Sequence, residues 1–132
     1  RIGTYIYNDR SLMERNVCRE EDCALTVLAT VVSTPTPQRA VVDAGSKVLT
    51  TDLFGLTGHG HIIDHAHLTI SQLSEEHACI VSDAPTGLSI GQKVRIIPNH
   101  ACVVSNMVDE VVFIDGSKVL KNQSVVARGK VL

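Results

Sequence analysis

Residues 98–106 read PNHACVVSN and place His100 and Cys102 two positions apart, just after residues that favour a turn. An imidazole nitrogen and a thiolate sulfur suit a zinc ion, and two protein ligands leave coordination positions open for water or substrate. On an extended strand, residues two apart point to the same face, so we expect both side chains to approach one ion. The pattern also occurs by chance, and a buried core histidine beside an inert thiol stays open as the alternative.

Four further histidines and a carboxylate cluster in the stretch that starts at residue 55 and reads GLTGHGHIIDHAH. They are His59, His61, His65 and His67, with Asp64 among them. Such a cluster can bind a metal ion, because imidazole and carboxylate are common metal ligands. Its glycines equally favour a flexible, solvent-exposed loop that binds nothing. The sequence leaves these two interpretations open as well.

Short strands are the elements that must position these residues. Apolar and β-branched residues, in part alternating with polar ones, predict a strand at the chain start and others at 24–34, 39–45, 67–73, 77–83 and 91–98. We expect Pro35 and Pro37 to end the strand at 24–34, and the Asp115-Gly116 dipeptide to form a hairpin within 109–132. The acidic residues 20–22 predict a short helix between residues 11 and 23. Many short strands with Gly, Pro and Asp turns indicate an all-β domain, a small barrel or sandwich of antiparallel strands with at most short helices.

The composition fits one globular domain and argues against two classes of partner. With 12 basic and 14 acidic residues among 132, the net charge of −2 offers no basic surface to nucleic acid, and aromatic residues, at 3%, are too few for base stacking. No apolar run is long enough to cross a bilayer, so no membrane partner is expected. Four irregularly spaced cysteines favour reduced thiols and a cytoplasmic protein. The chain starts without a methionine or a leader, and we expect a piece of a longer protein.

Five stretches occur in an order that resembles a known enzyme family. They are GTYIYND near the start, CALTVLATVVS (23–33), DAGSK (43–47), LSEEH (73–77) and VRIIPNHAC (94–102). The set resembles the C-terminal domain of the D-threonine aldolase and eukaryotic-type D-serine dehydratase family, fold-type III pyridoxal-phosphate enzymes related to alanine racemase. The resemblance covers nearly the whole chain. It implies that residues 1–132 are the C-terminal β-domain of a two-domain enzyme whose cofactor-binding barrel is absent from this chain.

The resemblance implies two cofactors and the residues that hold them. Pyridoxal phosphate is expected on a lysine of the missing barrel, so no catalytic residue is predicted in this chain. By the match of RIGTYIYN to the alanine racemase family, Gly3 and Thr4 are expected to offer backbone N–H groups to the cofactor phosphate, and Tyr7 its hydroxyl. A divalent metal, zinc or manganese, is expected on His100 and Cys102. The His-x-Cys pair resembles the zinc-dependent dehydratases, whereas the aldolases are expected to carry His-x-Asp and to favour manganese.

The implied activity is that of a lyase acting on D-3-hydroxy amino acids, in a full-length enzyme expected to be a homodimer. Retro-aldol cleavage to glycine and an aldehyde is the predicted reaction, and elimination from D-serine to pyruvate and ammonia is the alternative. A metal ion on the substrate's 3-hydroxyl would serve either reaction as a Lewis acid. This chain alone is expected to be inactive. A non-catalytic metal-binding or dimerisation β-module is the alternative from another functional class.

Overall fold

The computed structural model describes residues 2–130, which form mainly strands. The strands are β1 Val27–Thr36, β2 Arg39–Val42, β3 His61–Ile62, β4 Thr69–Leu73, β5 Ala78–Val81, β6 Lys93–Ile97, β7 Glu110–Asp115 and β8 Lys118–Ser124. The α-helices are α1 Arg10–Met13, α2 Ser46–Leu49 and α3 Ala101–Met107, and two 3-10 helices span Thr4–Ile6 and Glu20–Asp22. Because antiparallel strands dominate and the helices are short, the predicted all-β class is confirmed.

The first six strands form one antiparallel sheet that is nearly closed into a barrel, in the order β3-β6-β1-β2-β5-β4. Side chains alternate between the barrel interior and its surface, so Ala40 and Val42 of β2 are buried while Arg39 is exposed. Burying an aliphatic side chain contributes roughly 1.5–3 kcal/mol, and the barrel interior is filled this way. Four fully buried isoleucines belong to this core cluster, namely Ile62, Ile70, Ile80 and Ile96.

One proline lies inside a strand. β1 runs through Pro35 and ends at Thr36, so the expected stop at Pro35 is wrong, whereas the strand does end directly before Pro37. The pairing of β1 with β2 shifts register between Ser33 and Thr36. At such an irregularity the ladder does not require every N–H group, and a proline is therefore tolerated there.

Two further segments differ from their predictions. The chain start forms the 3-10 helix Thr4–Ile6 instead of a first strand, so that prediction is wrong, and Arg1 lies outside the described residues. The stretch 55–66, expected to be a loop, contains the short strand β3. β3 forms because Ile62 fills the barrel interior, where it is fully buried, and pairs with β6.

The last two strands form a hairpin separate from the barrel sheet, as the Asp115-Gly116 dipeptide predicts. Gly116 has a φ of +57°, a conformation that glycine adopts without steric cost. The short helix predicted before residue 23 is present as the 3-10 helix Glu20–Asp22, and α1 adds a helical turn upstream. No helix within residues 2–130 combines the length and apolar character needed to cross a membrane.

Candidate metal centre

The end of β6 leads directly into the candidate site. Pro98 cannot continue the strand ladder because it lacks an N–H group, and the next residue, Asn99, is fully buried. The Asn99 side-chain nitrogen donates to the carbonyls of Asp52 (3.0 Å) and Gly58 (2.9 Å). These bonds hold the loop that follows α2 against the end of the barrel, next to His100.

A buried carboxylate fixes the start of α3. Asp9 is fully buried, and its Oδ2 accepts a hydrogen bond from the Ala101 N–H at 3.0 Å. Its Oδ1 accepts bonds from the Ser11 hydroxyl (2.7 Å) and the Leu12 N–H (3.2 Å) and so caps α1. A carboxylate at a helix N-terminus satisfies N–H groups that have no partner within the helix. Asp9 therefore joins α1 and α3 at their first turns.

The His100 ring is held on two sides. Its Nδ1 lies 2.6 Å from Oδ2 of Asp52, and Phe54 packs edge-on with 4.9 Å between the ring centroids. When Nδ1 donates to the carboxylate, the neutral ring keeps its lone pair on Nε2, the arrangement typical of metal-binding histidines. The His100 side chain is 25% exposed. In that tautomer Nε2 is the ring atom that can bind a cation, and the side chain as a whole is partly exposed.

Cys102 contacts the turn in which the phosphate-binding residues are predicted. Its side chain is exposed, and its Sγ is hydrogen-bonded to Oγ1 of Thr4 at 3.3 Å. Gly3 precedes the 3-10 helix that begins at Thr4, and Tyr7 follows it. All three predicted phosphate contacts thus belong to one turn, and that turn touches one of the two predicted metal ligands.

The strand geometry expected for His100 and Cys102 is wrong. His100 has an extended backbone (φ −138°, ψ 93°) and immediately precedes α3, whereas Cys102 lies in the first turn of that helix. The bond from the Ala101 N–H to Asp9 favours a helix start at this point. The two side chains therefore flank a helix start and do not alternate along a strand. Their binding of one shared ion stays a prediction.

The four loop histidines have separate surroundings. Within residues 2–130, no group of three or more His, Cys, Asp or Glu side chains is placed to hold a metal ion. The candidate pair at the start of α3, His100 and Cys102, provides two such side chains. In the loop, Nε2 of His61 lies 2.6 Å from Oε2 of Glu20, and the rings of His65 and His67 have centroids 6.1 Å apart. His59 lies beside β4, to which its backbone N–H donates.

The cysteines differ in how available their sulfur atoms are. All four, at positions 18, 23, 79 and 102, are free thiols. Burial raises the pKa of Cys23 to about 12, with the neighbouring Cys18 contributing, so this thiol stays protonated at neutral pH. Cys102, in contrast, is exposed. Of these two, Cys102 is the thiol that a metal ion can reach.

Lys47 does not have the surroundings of a cofactor lysine. Its Nζ pairs with Oε1 of Glu76, and both side chains are more than half exposed. This hydrogen bond raises the pKa of Lys47 above its ordinary value and lowers the pKa of Glu76. A lysine that forms covalent adducts needs a lowered pKa instead.

Three residues of the site have roles that the sequence did not reveal. They are Asp9, Asp52 and Phe54. Asp9 carries a local signal, since an aspartate just before a helical turn is a typical N-cap, but its bond to Ala101 spans 92 positions. The partners His100 and Asp52 are 48 positions apart and belong to no common motif. Only the folded chain identifies that contact.

Comparison with known proteins gives a family and a set of relatives. Residues 24–114 match the family described as "Putative serine dehydratase domain". An uncharacterised protein of Mycobacterium tuberculosis is 42% identical over 129 residues, which covers 92% of this chain and 96% of that protein. The D-serine dehydratase of Dictyostelium discoideum is 35% identical over 119 residues, which covers 80% of this chain and 30% of that enzyme.

Solved structures share the fold. D-Threonine aldolase from Filomicrobium marinum matches with a TM-score of 0.82 at 30% identity, over 98% of this chain and 36% of that one. D-threo-3-hydroxyaspartate dehydratase, with a cysteine replaced by alanine and in the metal-free form, matches with a TM-score of 0.78 at 26% identity, over 93% of this chain and 38% of that one. In a further structure of a dehydratase of this name, the histidine two positions before that cysteine is replaced by alanine. With the family matched over residues 24–114, the chain belongs to the putative serine dehydratase domain family.

Proposed function

We propose that this chain is the metal-binding C-terminal domain of a pyridoxal-phosphate-dependent lyase that acts on D-3-hydroxy amino acids by D-threonine aldolase-like cleavage. The observation that carries the proposal is the pairing of His100 with Asp52. Two positions after His100, Cys102 contacts Thr4. A carboxylate on Nδ1 orients a histidine for metal binding through Nε2. The chain spans about a third of the length of the named enzymes it matches, so the activity is proposed for the whole enzyme.

The relatives support the class of substrate. Their names identify D-serine, D-threonine and D-threo-3-hydroxyaspartate as the molecules on which they act. Each of these amino acids has a hydroxyl group on its β-carbon, and the substituents of that carbon distinguish them. A domain common to these enzymes is therefore proposed to serve the shared hydroxyl group.

The spacing of two replaced residues in a related dehydratase supports the metal ligands. The structure with the cysteine replaced is in the metal-free form, and the histidine replaced in the other structure lies two positions before that cysteine. The same spacing separates His100 and Cys102. An imidazole and a thiolate are softer ligands than carboxylates, so zinc is the proposed ion and manganese the alternative. Bound here, the ion would supply Lewis-acid chemistry to the substrate's hydroxyl group.

The residues of this chain have supporting roles in the proposal. Asp52 holds the proton of His100 on Nδ1, and this keeps Nε2 available as a ligand. The turn with Gly3, Thr4 and Tyr7 is proposed to contact the cofactor phosphate through two backbone N–H groups and one hydroxyl group. The lysine that binds the cofactor is proposed to lie in the preceding barrel domain.

The experiment is an assay of the full-length enzyme on D-threonine and on D-serine, with the products identified. Glycine and acetaldehyde from D-threonine support the aldolase, whereas a keto acid and ammonia support the dehydratase as the alternative. His100→Ala and Cys102→Ala should each abolish the metal-dependent activity while cofactor content and fold persist, because neither side chain fills the core. Full activity of Cys102→Ala in the presence of a chelator contradicts the proposal.

A non-catalytic metal-binding or dimerisation module is the second candidate. The observation in its favour is the mycobacterial relative, 96% of which is spanned by this chain, so that a domain of this size is nearly the entire protein there. The two candidates differ in what they expect of the separate chain. A dimer in sedimentation equilibrium that binds zinc and does not activate a separately expressed cofactor domain supports the module. Restored lyase activity on mixing the two domains supports the enzyme.

A further inference from the structure

A groove of about 490 Å³ lies on the outer face of β2, β4 and β5. It is formed by side chains that point away from the barrel interior, among them Arg39 and Val41 of β2 and Cys79 of β5. Ser71 and Gln72, at the register shift of β4, are part of its lining. A volume of this size is within the range of small-molecule sites in proteins.

Arg39 provides a positive charge in the groove. Its Nε donates a hydrogen bond to Sγ of Cys79 at 3.0 Å, which ties the guanidinium group to the surface of the sheet. The two terminal nitrogens of the guanidinium group remain as donors. A guanidinium group presents its N–H groups as a planar fork that matches two oxygens of a carboxylate or phosphate.

Two histidines line the same groove, and one of them has an atom without a partner. The Nδ1 atom of His59 is buried and has no hydrogen-bond partner among the residues the structure describes. Buried polar atoms nearly always have a partner, so an unpartnered ring nitrogen on a residue that lines the groove identifies His59 as a side chain whose hydrogen bonding a ligand can complete. His77 is the second histidine of the lining.

The lining favours an anion. Within residues 2–130 no carboxylate lines the groove, although the chain has more acidic than basic residues. We propose that this groove binds the carboxylate or phosphate group of a small molecule, with Arg39 as its charge partner and His59 Nδ1 as a hydrogen-bonding group. The groove shares no lining residue with the candidate metal centre, so the proposal does not depend on the proposed function.

Cys79 provides a reporter inside the groove. Iodoacetate is an anion and iodoacetamide is neutral, and both alkylate the same thiolate. The ratio of their rates at Cys79 therefore measures the attraction of the groove for a small anion, because the intrinsic reactivity of the thiol cancels in the ratio. Peptide mass spectrometry resolves the sites, and the exposed Cys102 is the internal reference.

Arg39→Gln should lower the iodoacetate-to-iodoacetamide ratio at Cys79 about threefold, as expected for one partly screened charge pair. Arg95→Gln, which removes an exposed arginine from β6, should leave the ratio unchanged. Inorganic phosphate or acetate should protect Cys79 from iodoacetate, and whichever protects at the lower concentration identifies the group that binds. An unchanged ratio in Arg39→Gln, or no protection of Cys79 by either anion, overturns the proposal.

Discussion

The start of α3 and the loop 55–67 both carry histidines that suit a metal site, and the fold supports the two regions differently. At α3 a single ring, His100, has a carboxylate at 2.6 Å from Nδ1 and an aromatic ring on its edge. In the loop, His61 has Glu20 at 2.6 Å from its Nε2, the rings of His65 and His67 lie beside each other, and His59 contacts β4 through its backbone N–H. Because His61 also has a carboxylate partner at 2.6 Å, the feature that distinguishes α3 is an oriented ring followed two positions later by a second type of ligand, the exposed thiol of Cys102.

Buried polar groups explain the difference. Asp9 and Asn99 are both fully buried, and their hydrogen bonds connect α1, α3 and the loop after α2 around His100. Each such bond is costly to break, because a buried donor or acceptor would lose its partner. In the loop, the Nδ1 atom of His59 lacks a partner within residues 2–130. The framework thus surrounds His100, and it reaches the loop at a backbone carbonyl, that of Gly58, which accepts from Asn99.

The largest expected effect distinguishes the two regions by metal affinity. His100→Ala or Cys102→Ala should weaken zinc binding roughly a hundredfold or more, since each removes a direct ligand. His65→Ala, the matched change in the loop, should leave the affinity unchanged. Competition with a chromophoric chelator measures all three. Equal losses in the two regions contradict the assignment of the site to α3.

The next effect tests the framework under the site. Asp9→Ala should lower the free energy of unfolding by roughly 2 kcal/mol, because a helix cap is lost and the buried Ala101 N–H loses its acceptor. Urea denaturation measures the change. Asp109→Ala is the control, since Asp109 is 83% exposed in its ion pair with Arg128. That control should change stability by under ~0.5 kcal/mol.

A smaller effect is expected from the carboxylate that orients His100. Asp52→Asn should weaken zinc binding roughly tenfold, the lower end of what such orienting partners contribute. Asp64→Asn makes the same change in the loop and should have no effect on affinity. The same chelator competition applies, and circular dichroism checks that both variants fold. An Asp52→Asn protein that binds zinc as tightly as the unchanged chain removes Asp52 from the proposed role.

The smallest effect provides a baseline for an exposed carboxylate outside both regions. The Thr30 N–H donates to Oδ1 of Asp43 at 2.6 Å, and this bond lowers the pKa of Asp43 below its ordinary value. Because the folded pKa lies below the unfolded one, the stabilisation is complete above the unfolded pKa and is lost as pH falls through the folded pKa. Asp43→Asn should cost about 0.5 kcal/mol at pH 7, a value reduced by solvent screening, and nothing below the folded pKa. Urea midpoints at several pH values test this, and a cost that does not vary with pH contradicts it.

Local signals account for the parts of the fold that the sequence predicts. β4, β5 and β6 lie inside the predicted strand segments, and the Asp115-Gly116 turn joins β7 and β8 as expected. Alternation and turn residues are properties of neighbouring positions, so they can be recognised without the folded structure. β3 has two residues and depends on the pairing of Ile62 with β6, and for this reason the sequence gives no sign of it.

The candidate site was predictable only in part, for the same physical reason. The sequence indicates His100 and Cys102 as a pair, and the family resemblance indicates Thr4, which the structure places against Cys102. It does not indicate the helix start at Ala101 or the contact with Asp52, because both depend on residues far away in the chain. Their roles toward a metal ion and a phosphate group stay predictions.

Cobalt(II) titration of the chain, followed by absorption spectroscopy, tests the metal site at α3 with one spectrum per variant. Cobalt replaces zinc in such sites, and a thiolate ligand adds an intense charge-transfer band. We expect this band in the unchanged protein and in Cys79→Ala, and we expect it to be absent from Cys102→Ala. A band that persists in Cys102→Ala, or its absence from the unchanged protein at saturating cobalt, contradicts a metal site built on His100 and Cys102.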